Sequence, residues 1–94
     1  MITWDEKKSR ANLKKHGVSF DSAQIVFDDP LHMSRQDRVV DGELRWQTMG
    51  LVGDMVVLLV AHTWHETDTG EEQIRIVSAR RAIKKERKVY EQGA

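Results

Sequence analysis

The spacing of apolar residues changes near Pro30 and divides the chain into a helical part and a strand part. Before it, Phe20, Ala23 and Phe27 recur at intervals of three or four, as on one face of a helix. After it, apolar and polar residues alternate, which is typical of strands with one buried face. The pattern predicts the order ααββββα, an α+β domain with its helices against one face of a small antiparallel sheet.

Two short helices are predicted first. Thr3-Trp4-Asp5-Glu6 fits a capping box, with Thr3 capping a helix that begins at Trp4. This helix runs to His16 and ends at Gly17, which tolerates the left-handed conformation of a C-cap. Ser19 then caps the second helix, and Asp28-Asp29-Pro30 ends it.

Four strands and a last helix follow. Asp41-Gly42 predicts a hairpin turn, and in the next strand Arg45 and Gln47 face away from the side that Leu44, Trp46 and Thr48 share. Residues 55–64 are apolar without alternation, which indicates a central strand covered on both faces. The predicted strands are residues 31 to the turn, 43–51, 55–64 and 73–80, with the final helix beginning at Ser78 or Ala79.

Composition places narrow limits on the class of protein. The chain has 94 residues, 39% of them hydrophobic, which suits one domain over residues 1–94. It has no cysteine, so packing alone must hold the core, as in the reducing cytoplasm. The longest apolar run, residues 55–61, is too short to span a membrane, and no targeting segment is visible.

The net charge is zero, but the charges are unevenly distributed. Residues 1–16 carry +3 and residues 74–94 carry +5, whereas 17–44 and 45–73 each carry −4. If the two basic ends meet on one face, they form a surface suited to phosphates. The solvent-exposed faces of ordinary helices are the simpler explanation of the same pattern.

Several short motifs together resemble the BrnT toxin family. They are Trp4-Asp5, Asn12 with Lys15-His16-Gly17, Phe27 to Pro30, Gly50, Ile76 to Arg80, and Glu86-Arg87 with Tyr90. The resemblance covers nearly the whole chain. It implies a RelE-like fold, with two N-terminal helices, a four-stranded mainly antiparallel sheet and a C-terminal helix.

The resemblance also implies a function and a partner. BrnT proteins are the ribonuclease half of bacterial type II toxin–antitoxin pairs, so an RNA-cleaving inhibitor of translation is expected. A BrnA-like antitoxin would neutralise it, and the hetero-oligomer would bind promoter DNA through the antitoxin. The rival hypothesis is a non-catalytic module whose basic terminal helices bind nucleic acid or an acidic protein.

Cleavage of RNA without a metal needs a base, an acid and cations around the phosphate. Arg45, Arg75 and Arg80 are the candidate cations. Arg80 is expected where the last strand passes into the last helix, near free N–H groups that attract anions. A solvated surface charge is the simpler explanation of Arg45 or Arg75 taken alone, whereas the family motif favours a catalytic role for Arg80. Further basic residues that we expect to bind RNA are Arg81, Lys84 and Arg87.

Histidine and tryptophan supply the remaining candidates. His62, at the end of the central strand, is the candidate acid or base, although such residues are often hydrogen-bonded rim residues. A metal site at His62, His65 and Glu66 is not predicted, because two histidines three apart on a strand point to opposite faces. No cofactor is therefore expected. Among the tryptophans, Trp64 is the candidate for stacking on a base.

Overall fold

The computed structural model describes residues 1–54 and 56–93, which form an α+β fold with a five-stranded mixed sheet. The helices are α1 Glu6–His16, α2 Phe20–Ala23, which continues into the 3₁₀ helix Gln24–Asp28, and α3 Lys84–Gln92. The strands are β1 Ile2–Thr3, β2 Met33–Val40, β3 Glu43–Val52, β4 Val56–Glu66 and β5 Glu72–Arg81. Met55, the predicted first residue of the central strand, lies outside the described residues.

The sheet has one strand more than the sequence predicts. Its order is β1-β5-β4-β3-β2, and β1 pairs parallel with β5 while the other pairs are antiparallel. Because Thr3 pairs with Arg75 in this ladder, the predicted capping box at Thr3 is wrong. Asp5 caps α1 instead, and its carboxylate accepts hydrogen bonds from the backbone N–H groups of Lys7 and Lys8.

The other local signals near α1 and α2 are confirmed. Gly17 ends α1 with a φ of 74°, and the Ser19 hydroxyl accepts a bond from the Ser22 amide at the start of α2. In the hairpin turn, Asp41 and Gly42 have φ values of 52° and 77°, as a tight turn between two strands requires.

The first two helices cover one face of the sheet. The main core lies between these helices and the sheet. Phe20, Ala23 and Val26 pack there against Val60 and Ile76, and all five side chains are buried. Polar bonds fix the helices on this face. The buried Asn12 amide donates to the carbonyls of Val18 and Ala79, at 2.7 and 2.8 Å, and Asn12 Oδ1 accepts from the Ala79 N–H.

The 3₁₀ helix lies against β3 at Gly50. A Cβ atom at Gly50 would lie only 2.7 Å from both Cβ and the carbonyl oxygen of Val26. No side chain other than hydrogen fits this contact without a backbone shift, which explains why a glycine stands in the middle of a strand.

The last helix lies on the opposite face, which corrects the prediction that all helices share one side. A second core joins Met49, Val57, Leu59 and Ala82 there, and Tyr90 of α3 packs against it. The Tyr90 hydroxyl also donates a hydrogen bond to Asp29 Oδ2, which anchors the C-terminal end of α3. α3 packs against the end of this face where Met49, Val57 and Leu59 lie. The rest of this surface is called the open face below.

Strand β5 continues through Ser78 and Ala79 to Arg81, one residue beyond its predicted end at Arg80. Ile83 is the N-cap of α3, and the Glu86 carboxylate accepts the Ile83 N–H at 2.9 Å. Arg80 is therefore a strand residue three positions before the N-cap of α3, and the predicted helix start at Ser78 or Ala79 is wrong.

Two irregularities decide which side chains reach the open face. In β5, His62 pairs with Ile76 and Ala61 pairs with Ser78, so Val77 is an extra residue in the ladder. In β2 the register with β3 shifts between Gln36 and Val39. Each bulge reverses the alternation of faces beyond it.

Candidate functional site

Four arginines lie on the open face of the sheet. Arg35 pairs with Gln47, Arg75 with Thr63 and Arg80 with Leu59, and all three partners lie on the side of the sheet opposite α1 and α2. Arg45 shares that side because it stands two positions from Gln47 on β3. The prediction that Arg45 faces away from Trp46 and Thr48 agrees with the structure.

One carboxylate lies between Arg45 and Arg75. Glu43 Oε1 is 2.7 Å from Arg75 Nη2 and 4.0 Å from Arg45 Nη2. Arg75 remains 48% exposed, whereas Arg45 is only 19% exposed. The Glu43 carboxylate is therefore held by one accessible and one mostly buried guanidinium at the end of the face that α3 leaves uncovered.

A second carboxylate, Glu86, belongs to α3, is bonded to Arg80 and lies near Arg35. Arg80 donates two parallel hydrogen bonds to it, Nη1 to Oε1 at 2.8 Å and Nη2 to Oε2 at 2.9 Å. The bonds from Arg80 lower the pKa of Glu86 against the opposing effect of burial, and the charge of Arg35 lowers it further. The pKa of Arg80 is raised by the same hydrogen bonds, so both groups are ionised.

The four guanidiniums and two carboxylates leave an excess of two positive charges on one exposed surface. Arg75 pairs with Thr63 and Arg80 pairs with Leu59, four residues away on β4. The backbones of the two arginines are therefore about 13 Å apart along the strand. Such a row of guanidiniums suits an extended polyanion, because each arginine can hold phosphate oxygens through two N–H groups.

His62 does not belong to this surface. Its side chain is fully buried on the helix-covered face. There the imidazole ring meets the Phe27 ring edge to face, with the ring centroids 5.0 Å apart. Nε2 bonds the Thr48 hydroxyl at 2.6 Å, and Nδ1 bonds the Thr63 carbonyl at 2.9 Å. Burial lowers the pKa of His62 despite the Thr63 bond, so the ring is neutral near pH 7. The structure therefore does not bring His62, the candidate acid or base, together with Arg75 and Arg80.

The other predicted RNA-binding residues do not lie with the arginines of the open face. Arg81 pairs with Leu58 and lies near Gly17 and Val18, on the helix-covered side of the sheet. Lys84 is exposed on the first turn of α3. Arg87 is also exposed, and its Nη1 lies 3.5 Å from the Ala82 carbonyl.

Two sequence-based expectations concern a metal and a membrane. Within residues 1–54 and 56–93, no three or more His, Asp or Glu side chains are grouped so that they could hold a metal ion. His65 bonds Gln73 Oε1 through Nε2 at 3.1 Å. None of the helices in the described part of the chain is long and apolar enough to cross a membrane.

Three residues of the open face were missed by sequence reasoning. Glu43 was detectable, because it stands two positions before Arg45 on the same strand and so shares its face. Glu86 stands six positions after Arg80 on a different element, and the sequence alone does not show that the two side chains are bonded. Arg35 was not detectable, since without the bulge in β2 it would pair with Thr48 on the covered side.

Comparisons with known proteins agree with this architecture. The family model described as "Ribonuclease toxin, BrnT, of type II toxin-antitoxin system" matches residues 4–86. Among solved structures, the chain is similar to the crystal structure of the Brucella abortus ribonuclease toxin BrnT, with a TM-score of 0.58 and 20% sequence identity. The match covers 88% of this chain and 96% of the Brucella chain. No curated protein matches the sequence significantly.

Proposed function

Since this chain belongs to the BrnT family of ribonuclease toxins, we propose that it cleaves RNA on the open face of its sheet and thereby inhibits translation. The observation that carries the proposal is the arrangement of the four arginines around Glu43 and Glu86 on one accessible surface. This surface combines cations that bind phosphates with one carboxylate, Glu43, that is available as a general base.

The arginines bind the RNA backbone in this proposal. Arg75 and Arg80 are the catalytic cations, and both are accessible, with 48% and 39% of their side chains exposed. Arg45 is mostly buried beside Glu43, so it holds that carboxylate in place and contributes positive potential. Lys84 and Arg87 of α3 contribute long-range attraction to RNA, and Arg81 contributes less because it faces the other side.

Glu43 replaces His62 as the proton carrier. Its carboxylate is partly exposed and lies 2.7 Å from Arg75 Nη2, so a phosphate bound to Arg75 brings the neighbouring ribose close to it. Glu43 takes the proton of the 2′-hydroxyl, whose oxygen attacks the phosphorus. The 5′ oxygen leaves with a proton from solvent, and a 2′,3′-cyclic phosphate remains. Arg75 and Arg80 stabilise the charge that develops on the phosphate oxygens.

These groups need no metal ion for this step, so we propose a metal-independent endoribonuclease. A toxin of this type requires an inhibitor in its own cell, and the family description includes an antitoxin. We propose a BrnA-like antitoxin that forms a hetero-oligomer with this chain and binds promoter DNA. We also propose a cytoplasmic location, because translation is the proposed target.

The experiment compares Glu43→Gln with Glu71→Gln, a matched loss of one negative charge in the loop between β4 and β5. Purified proteins are incubated with a fluorescently labelled single-stranded RNA and excess chelator. We expect cleavage by the wild type and by Glu71→Gln, and about 10²–10⁴-fold slower cleavage by Glu43→Gln. Equal rates for both variants would exclude Glu43 as the base. Wild-type cleavage that requires a divalent ion would contradict the metal-free mechanism.

The same assay tests the rival function, a binding module without catalysis. Such a module would bind the RNA with strong salt dependence and leave it intact. The paired carboxylates favour catalysis, because Glu43 and Glu86 weaken simple phosphate binding and a surface selected for binding alone gains nothing from them.

A further inference from the structure

A second candidate site lies at the end of the sheet, away from the arginines. Trp46 pairs with the buried His62, and Trp64 pairs with Ile74, so both rings lie on the helix-covered side of the sheet. The two rings meet edge to face, with centroids 5.1 Å apart and an angle of 66° between their planes. Beside them is a shallow, open cleft of about 350 Å³ lined by Trp46, Trp64, His65, Glu66 and Glu72.

The two carboxylates of the cleft are directly opposite each other. Glu66 pairs with Glu72 in the antiparallel ladder, and like charges at such positions repel. In the described part of the chain, neither of them forms an ion pair. Residues 66–72 also include Asp68 and Glu71 and contain no lysine or arginine. The Met1 ammonium is nearby but donates to the main-chain oxygen of Glu72.

Aromatic rings and unpaired carboxylates together select a cation. An edge-to-face pair occupies one face of only one ring, so ring surface remains for a cation, and Trp64 is 37% exposed. Arginine fits better than lysine, because its planar guanidinium stacks on an indole while its N–H groups reach carboxylates in the same plane. RNA fits poorly, because its phosphates would approach four acidic residues.

We propose that this cleft receives an arginine side chain from a basic segment of a partner protein. The guanidinium stacks on Trp64 and donates hydrogen bonds to Glu66 and Glu72, which removes their mutual repulsion. The identification of that partner as the antitoxin rests on the proposed function above. The cleft lies on the other side of the sheet from Arg45 and Arg75, so a partner held here leaves a second segment free to cover the open face.

The test uses a short peptide with one arginine, acetyl-Gly-Arg-Gly-amide, and the same peptide with uncharged citrulline. Both are titrated into the wild-type protein at low salt while the indole N–H resonances are recorded by NMR. We expect the arginine peptide to shift the resonances of Trp46 and Trp64. Trp4 is an internal control, because its indole N–H donates to Glu6 within the first helical turn and should not move. The citrulline peptide should bind at least tenfold more weakly.

Two variants and a matched control locate the binding. Trp64→Ala should weaken binding of the arginine peptide about three- to tenfold, because the variant loses the cation–π contact. The double variant Glu66→Gln with Glu72→Gln should weaken binding of the arginine peptide about tenfold. This variant should still fold, because the two substitutions remove a like-charge pair. Glu71→Gln lies outside the lining of the cleft and should have little effect.

Three outcomes would overturn the proposal. They are equal binding of the two peptides, no shift at Trp64, and a stronger shift at Trp64 with a short oligouridylate than with the arginine peptide. Peptide binding at the cleft and RNA cleavage on the open face are tested independently of each other. Glu66→Gln with Glu72→Gln should leave RNA cleavage unchanged, so the cleft can fail while the enzyme stands, and a catalytically inactive chain can still bind the peptide.

Discussion

Arg80 and Glu86 form an ion pair with two hydrogen bonds, and this pair joins strand β5 to helix α3 across the open face. Glu86 also accepts the N–H of Ile83, so the same carboxylate caps α3 and holds the arginine. Arg80 is thereby directed along the face on which RNA is proposed to lie.

Arg80→Ala should abolish most of the ribonuclease activity. Loss of a donor that stabilises the transition state typically costs about 10²–10³ in rate. Lys88→Ala removes the same charge from an exposed position of α3 and should reduce the rate only slightly, chiefly at low salt, where the lost charge is least screened. Cleavage rates and circular dichroism of both variants provide the measurement. Similar modest losses in the two variants would indicate a binding stripe rather than a catalytic site.

Glu86→Gln should strengthen RNA binding. The substitution removes one of the two carboxylates from the open face while an amide oxygen can still accept bonds from Arg80 and Ile83. We expect severalfold tighter binding at low salt and a loss of stability of about 1 kcal/mol or less. Fluorescence anisotropy with labelled RNA measures the first effect, and urea denaturation measures the second. Weaker RNA binding by a folded variant would show that Arg80 needs Glu86 for its orientation.

His62 should make the protein less stable as the pH falls. Burial lowers its pKa in the folded state, whereas the unfolded chain binds a proton at the ordinary value of 6.5. The free energy of unfolding therefore has its full value above pH 6.5. It falls as the pH is lowered from 6.5 towards the folded-state pKa, by up to about 1.4 kcal/mol per pH unit. Urea denaturation between about pH 7.5 and 5 measures this slope. In His62→Gln the slope should be flatter, and stability that stays constant over this range in the wild type would contradict the burial of a neutral ring.

Tyr90→Phe should loosen α3. The hydrogen bond to Asp29 raises the pKa of Tyr90 to about 12, with burial adding to the effect. Stability from this bond is present below pH 10, where the unfolded tyrosine begins to ionise, and is lost as the pH rises through 12. We expect Tyr90→Phe to lower the free energy of unfolding by about 1–2 kcal/mol.

Tyr90 is the one tyrosine of the chain, so the ultraviolet absorbance change of tyrosinate formation reports the ionisation of this residue alone. The folded protein should ionise about two pH units above the protein unfolded in urea. Equal titration curves for the two states would show that the bond to Asp29 is absent in solution.

Signals that depend on a few neighbouring residues were predictable from the sequence. The cap at Ser19, the end of α1 at Gly17 and the turn at Asp41-Gly42 follow from local backbone preferences, and the structure agrees with each. The alternation in β3 likewise places Arg45 away from Trp46. Trp4-Asp5, Asn12, Gly50 and Tyr90 also carried the family resemblance, and the structure shows contacts for them that stabilise the fold.

Tertiary pairing decided the arrangement of the candidate site. Arg75 and Arg80 are five positions apart and would face opposite sides of a regular strand, but the extra residue Val77 brings them to the same side. The bulge in β2 moves Arg35 to that side as well, and β1 forms because β5 offers it an edge. Such features arise from pairing between distant segments, whose energy depends on contacts that no local window of the sequence contains. The same reason explains His62, whose strand position was predictable and whose burial under Phe27 was not.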